Sequence, residues 1–359
     1  MEQHISIHDL LSKVIQHKGS DLHLVAGFRP IIRVDGVLRQ VDSYPELTKL
    51  AAEGLVFELL NETQKEIFIA NRSLDFSYGY GDAAELEKAR FRVNSYFQRG
   101  SAAASLRLLP ATVKTIEELG LPTICHNFAT LKHGFVLVTG PTGHGKTTTI
   151  ASMVNEINMT RPENIVTIED PIEYVYGKGK SIISQREIGQ DTHSWNEALK
   201  SILREDPNVV VIGEMRDPES IASAITIAET GHLVFSTLHT NSASQSIDRI
   251  IDSFAESQQN QVRIQLSSAL AGIVSQRLIP SINGGRVVAS EILLATNAIK
   301  SNIREAKTHL IDSIIETSSD SGMNTMEASL AVLVKKGVIT LETARGYVLR
   351  PDVFERLVG

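Results

Sequence analysis

The stretch Gly140-Pro-Thr-Gly-His-Gly-Lys-Thr147 constrains this chain more than any other, because it dictates what must flank it. The pattern GxxxxGK[ST] makes a phosphate-binding loop only where a strand enters it and a helix leaves it. Phe135-Val-Leu-Val-Thr139 precedes it and reads as a buried strand. Lys146 to Ile157 follows it and reads as a helix, with Ile150, Met153, Val154 and Ile157 on one face. Such a loop turns consecutive backbone N–H groups inward, its glycines allow close approach, and the helix N-terminus favours an anion. The candidate nucleotide-binding residues are therefore Gly140, Pro141, Thr142, Gly143, His144, Gly145, Lys146, Thr147 and Thr148. Lys146 is expected to reach the β- and γ-phosphates of ATP, and the Thr147 hydroxyl to ligate Mg²⁺.

The pattern around this loop alternates strand and helix from about residue 121. Strands are expected at Phe135–Thr139, Ile165–Glu169, Val209–Gly213 and Leu233–Thr237, with helices at Pro218–Glu229 and Val262–Gln276. Short continuous apolar strands separated by helices describe an α/β fold with a mostly parallel sheet covered on both faces. The last seventy residues offer helical stripes at Ile299–Ile314 and Met326–Val334 and no convincing strand.

The first hundred residues read as a separate small α/β unit. Ile7, Leu10, Leu11, Val14 and Ile15 form a helical stripe that Gly19 can end, and Asp35-Gly36 marks a hairpin. Leu55 to Ala70 reads as one helix, Arg90–Phe97 alternates as a strand, and Ser105–Leu109 follows as another. A chain of 359 residues exceeds what one core usually serves, so two domains are expected. The expected division is residues 1–110, a linker at 111–120, a core at 121–290 and a helical region at 291–359.

Composition narrows the setting. No run of about 18 apolar residues offers a membrane span. Met1-Glu-Gln-His-Ile5 has no basic, apolar-core leader pattern. A net charge of −7 argues against a dedicated nucleic-acid binder. Cys125 is the single cysteine, which excludes an intrachain disulfide and a zinc site built on paired cysteines. The expected location is the cytoplasm.

Hydrolysis needs more than a phosphate loop, and three further strands end in polar clusters. Val209-Val-Val-Ile-Gly-Glu214 delivers a carboxylate from a buried strand, placed to hold Mg²⁺ or polarise water. Ile165-Val-Thr-Ile-Glu-Asp-Pro-Ile-Glu173 ends in three acids, one of which can position or activate water. Gly231-His-Leu-Val-Phe-Ser-Thr-Leu-His239 carries a histidine at each end. Seven residues of extended strand point the two to opposite faces, so a shared metal is not expected, and His239 can sense the γ-phosphate. Arg90 and Arg92 share one strand face and Arg107 lies in the next strand. They read either as a solvated edge or as arginines offered to a nucleotide.

Together these segments resemble the PilT-like secretion ATPases, the motors of type IV pili and type II secretion. Gly140–Thr147 matches their Walker A run and Thr167-Ile-Glu-Asp-Pro-Ile-Glu173 their Asp box. Leu203–Pro207 with Val211–Asp217 looks like their Walker B region, and Thr230–Thr240 like their His box. Gly19-Ser-Asp-Leu-His-Leu24 resembles the opening of their N-terminal domain. Ala298-Ile-Lys-Ser-Asn-Ile-Arg-Glu305 resembles a motif of the retraction branch. The resemblance implies a PAS-like N-terminal domain, a RecA-like P-loop ATPase domain with a C-terminal helical bundle, and a homohexamer. It implies catalytic roles for Glu173, Glu214 and His239, arginines Arg92 and Arg107 presented across a cleft with Arg90 as a third candidate, and Mg²⁺ held by Thr147 and Glu214. It further implies a cytoplasmic motor that works with an inner-membrane pilus platform protein and retracts a type IV pilus. His144 departs from the family's usual Ser in the phosphate loop, at a position expected to contribute mainly its N–H. Ser236 stands where Gly or Ala is common. The competing readings are an accessory retraction, secretion or DNA-uptake motor on the same scaffold, a nucleic-acid translocase, and a scaffold that binds ATP without turnover.

Overall fold

The structure is a computed structural model that describes residues 5–81, 89–110 and 112–359. Met1–His4, on which the leader reading partly rests, and Ala111 of the expected linker lie outside the described residues. By its contacts the chain divides into two units. One comprises the residues up to Thr112 together with Asp170–Val175, and the other comprises the rest.

The N-terminal unit is PAS-like. In chain order it contains α1 (Ile7–Gln16), β1 (Asp21–Leu24), β2 (Ile31–Val34) and β3 (Val37–Gln40). There follow α2 (Lys49–Glu58), α3 (Glu62–Asn71), β4 (Ser73–Tyr80), β5 (Ala89–Gln98) and β6 (Ser101–Leu108). The sheet runs β3-β2-β1-β6-β5-β4 and its pairs are antiparallel. Leu10, Leu11 and Val14 of α1 are fully buried with Leu22, Phe91, Val93 and Leu106. The single helix expected over Leu55–Ala70 is two. Asn61 stops the first and starts the second through a reciprocal capping box with Gln64.

The second unit is RecA-like. It opens with α4 (Ile124–Thr130), β7 (Gly134–Thr139), α5 (Lys146–Thr160), β8 (Asn164–Glu169) and β9 (Ile182–Glu187). It continues with α6 (Trp195–Ile202), β10 (Val209–Ile212), α7 (Pro218–Glu229), β11 (Leu233–Leu238), α8 (Ala243–Asp252) and α9 (Glu256–Ala269). β12 (Leu270–Pro280) and β13 (Arg286–Leu294) complete the sheet, whose order is β13-β12-β7-β11-β10-β8-β9. All pairs are parallel except β12 with β13. Helices cover both faces, which the alternation along each strand requires. Val136 and Val138 join Ile150, Met153 and Val154 of α5 on one face, while Phe135 and Leu137 join Ile225 and Ile247 on the other. The last helices are α10 (Asn297–Arg304), α11 (Ile311–Thr317), α12 (Met326–Lys335), α13 (Leu341–Arg345) and α14 (Pro351–Val358).

Two expectations fail here. The helix expected over Val262–Gln276 ends at Ala269, and Leu270–Gln276 is the first part of β12. The last seventy residues do contain strand, because β13 runs on to Leu294. Among the described residues, no helix is long and apolar enough to cross a membrane.

Candidate functional site

Register in the parallel sheet assembles the site. Thr139 at the end of β7 stands opposite Leu238 of β11 on one side and Ser275 of β12 on the other. Ile212 of β10 stands opposite Ser236 and Ile168. The residues that follow these strand ends therefore emerge side by side, where ligands bind in such sheets. They include Gly140, His239 and Glu214.

The phosphate loop needs its glycines. Gly140, Gly143 and Gly145 have φ of 144°, 78° and 80°, values that side-chain-bearing residues rarely adopt. Thr147 and Thr148 follow Lys146 in the first turn of α5 and are half-buried. Lys146 is buried and folds back on its own loop, donating to the carbonyls of Gly140 at 2.9 Å and Pro141 at 3.1 Å.

Lys146, Thr142, His239 and Glu214 form one cluster. The Lys146 ammonium lies 3.3 Å from His239 Nδ1, and Thr142 Oγ1 lies 3.2 Å from the same nitrogen. An ammonium can only donate, so Nδ1 accepts and the ring proton sits on Nε2. That nitrogen meets Glu214 Oε1 at 3.0 Å. Arg216 holds the other oxygen of Glu214 at 3.0 Å. Partial burial pushes the Glu214 carboxyl up, but Arg216, His239 and Lys146 outweigh it and hold the group below its ordinary range. Glu214 is thus an ionised acid beside a phosphate loop. His232 belongs elsewhere: its Nδ1 lies 3.0 Å from the Ile227 carbonyl and from Thr230 Oγ1 at the far end of β11.

Glu169 is buried and accepts from Thr167 at 2.7 Å and Gln185 at 3.2 Å. Glu173 pairs with Arg92 at 3.6 Å, both half-exposed, within the N-terminal unit as the contacts divide it. Arg107 stands opposite Arg92 in the sheet and binds Asp21 of β1 at 2.9 Å. Arg90 bonds Ser77 Oγ of β4 at 2.9 Å.

Thr147 and Glu214 offer a hydroxyl and a carboxylate, the hard oxygen donors that Mg²⁺ takes when it arrives with a polyphosphate. Among the described residues, no group of three or more His, Cys, Asp and Glu side chains is placed to hold a metal. The donor set therefore fits an ion that keeps water and phosphate ligands, and does not fit a cage made of protein alone.

A model of the family described as type II/IV secretion system protein matches residues 2–345. The chain belongs to that family. It is 44% identical over 350 residues to the "Type IV pilus retractation ATPase PilT" of Pseudomonas aeruginosa, covering 98% of this chain and 100% of the relative. It is 46% identical over 322 residues to a "Twitching motility protein" of Neisseria gonorrhoeae, covering 89% of this chain and 84% of the relative. Among solved structures, the crystal structure of the pilus retraction motor PilT with bound ADP superposes with a TM-score of 0.89. That match has 45% identity and covers 98% of this chain and 99% of the other.

Two features of this secretion-family chain escaped sequence reasoning. Gln276 of β12 is buried beneath the phosphate loop, donating to the His144 carbonyl at 2.6 Å and accepting from Thr149 Oγ1 at 2.8 Å. A polar Ser-Gln pair inside an apolar run was the only signal, and it lay in a segment read as helix. His144 does more than offer an N–H. Its Nδ1 accepts from the backbone N–H of Leu278 at 2.9 Å, pinning the loop to β12. Burial, with Arg277, Lys146 and Arg286 nearby, pushes its pKa down, so the ring stays in the accepting form at neutral pH.

Proposed function

We propose that this chain is an ATP-hydrolysing motor of the pilus-retraction kind, working as a homohexamer on an inner-membrane platform protein from the cytoplasmic side. The observation that carries the ATPase reading is the phosphate loop whose Lys146 is shared with His239, itself bonded to Glu214. Near-full-length similarity to proteins named for pilus retraction and twitching motility supports the retraction role.

The chemistry follows from the contacts. An arriving triphosphate offers Lys146 stronger acceptors than two carbonyls and an imidazole, so the ammonium moves onto the β- and γ-phosphate oxygens. His239 then loses a donor at Nδ1 while keeping its Nε2–H on Glu214, so the histidine reports whether Lys146 is occupied. The loop N–H groups neutralise phosphate charge at the start of α5. Thr147 and Glu214 would hold an Mg²⁺ that arrives with the nucleotide, and the ion would supply further neutralisation of phosphate charge. Glu173 orients the attacking water and takes its proton once its bond to Arg92 opens. Arg92 and Arg107 stabilise charge on the transferred phosphoryl, and arginines in that role contribute about 10³–10⁵ in rate. Residues 1–110, 121–290 and 291–359 serve as PAS-like N-terminal domain, RecA-like ATPase core and C-terminal helical region, with 111–120 as linker.

The test is steady-state ATP turnover by the purified chain beside Lys146→Ala and Glu173→Gln. Both variants are expected to lose at least about 10²-fold. Turnover that survives Lys146→Ala would place the active site elsewhere. Loss of pilus retraction in cells carrying Glu173→Gln, with pili still assembled, distinguishes retraction from assembly.

A further inference from the structure

Glu291 lies on β13 with 3% of its surface exposed, and no step above uses it. Its Oε1 accepts a 2.7 Å hydrogen bond from the backbone N–H of Ala243, the first residue of α8. A carboxylate there faces the positive end of the helix. That first turn also holds the segment beginning at His239. Ser246 Oγ donates to the Ser242 carbonyl at 2.7 Å and lies 2.6 Å from Thr240 Oγ1. Asn241 Oδ1 accepts from Arg277 of β12 at 3.2 Å. His239 is therefore fixed by β11 on one side and by the α8 turn on the other.

The C-terminal helices meet Glu291 from behind. The charged groups that act on it are Asp312 of α11, Glu327 of α12 and Arg350 just before α14. Glu327 is fully buried and accepts the N–H groups of Leu349 and Arg350 at 3.0 and 2.9 Å and the Arg350 guanidinium at 2.8 Å. Asp312 Oδ1 is buried without a hydrogen-bond partner. Glu316 of α11 also lies 3.9 Å from the Arg350 guanidinium, so four acids share one arginine. Burial pushes the Glu291 carboxyl up to about 7; Asp312 and Glu327 add to the rise, while the Ala243 N–H and Arg350 oppose it. Loosening Arg350 is therefore expected to push the Glu291 carboxyl further up.

We propose that Glu291 is a positioning residue for His239: its charge sets how firmly the first turn of α8 is held, and through that turn the C-terminal helices adjust the histidine against Lys146 and Glu214. The ionised carboxylate makes a charge-assisted bond to Ala243, about twice as strong as the neutral one. The kinetic consequence rests on the ATPase reading above; the structural one does not.

The experiment compares full-length wild type, Glu291→Gln and Arg350→Lys. It measures turnover from about pH 6 to about pH 8.5, with hydrogen exchange of residues 239–246 on the same samples, corrected for intrinsic rates. Gln keeps an acceptor for Ala243, so the fold should hold. Wild-type kcat is expected to fall as pH drops through about 7, with KM for ATP steady. Glu291→Gln should flatten that limb at the low plateau, and Arg350→Lys, which loses the two-pronged contact to Glu327, should shift it to higher pH. Exchange in 239–246 should be faster in Glu291→Gln than in wild type at high pH and similar at low pH. Superimposable pH profiles and exchange rates for wild type and Glu291→Gln would overturn the proposal. If wild type turned over no ATP but the exchange difference appeared, the ATPase reading would fail and the positioning role would stand.

Discussion

Gly140 shows how little freedom the phosphate loop has. Its φ is 144°, and a Cβ there would overlap the carbonyl oxygen of Gln276 on the neighbouring strand. Gly140→Ala is expected to cost about 1–3 kcal/mol from the backbone alone. Because the clash falls inside the loop, calorimetric nucleotide titration should show binding lost before thermal melting shows the fold lost. The loop itself was fully legible in the sequence, since its glycines, lysine and threonine are defined by local conformation. The side-chain role of His144 was not. Its acceptor bond goes to Leu278, 134 residues away, and only a folded sheet brings the two together. His144→Asn keeps a side-chain acceptor and should retain ATP affinity better than His144→Leu when both are titrated with nucleotide.

Among elements, β12 matters most and was read least well. Val262, Leu266 and Ala269 make a good helical stripe, and Ile273 and Val274 extend it without a break in hydrophobicity. Short apolar runs do not distinguish a buried strand from a buried helix turn. The strand matters because Gln276 bonds the loop and α5 together. Gln276→Ala leaves the His144 carbonyl and the Thr149 hydroxyl short of a partner, and KM for ATP should rise about tenfold, or about 1.4 kcal/mol. The split of Leu55–Ala70 into α2 and α3 was foreshadowed by the local Asn-x-x-Gln cap signal. Asn61→Ala should lower stability by about 1 kcal/mol, read in the thermal midpoint, with turnover untouched. β13 adds a pH effect. The native Glu291 carboxyl holds a proton that the unfolded chain has already lost between 4.5 and about 7. Wild type should therefore lose stability relative to Glu291→Gln as pH rises through that window.

For the whole molecule, the four nucleotide motifs fixed the RecA-like unit because each is a strand end, and strand ends converge in a parallel sheet. The antiparallel PAS-like unit was harder to read from its residues, since β4 carries polar residues and a glycine in place of a clean alternation. The relation of Arg92 to Glu173 was invisible, being a contact between segments 81 residues apart in the chain. If the active assembly is a ring, turnover per chain should rise with protein concentration and level off where light scattering first reports a particle of six chains.

Cys125 of α4 is fully buried, and burial pushes its thiol up to about 12. A thiol in that state is a poor nucleophile at neutral pH. The native protein should therefore resist alkylating reagents and react only on unfolding. With no other cysteine in the sequence, the wild-type chain is already a silent background for fluorescent or spin labels. One engineered cysteine in each unit would let the distance between two labels be read with and without nucleotide, without first removing any natural residue.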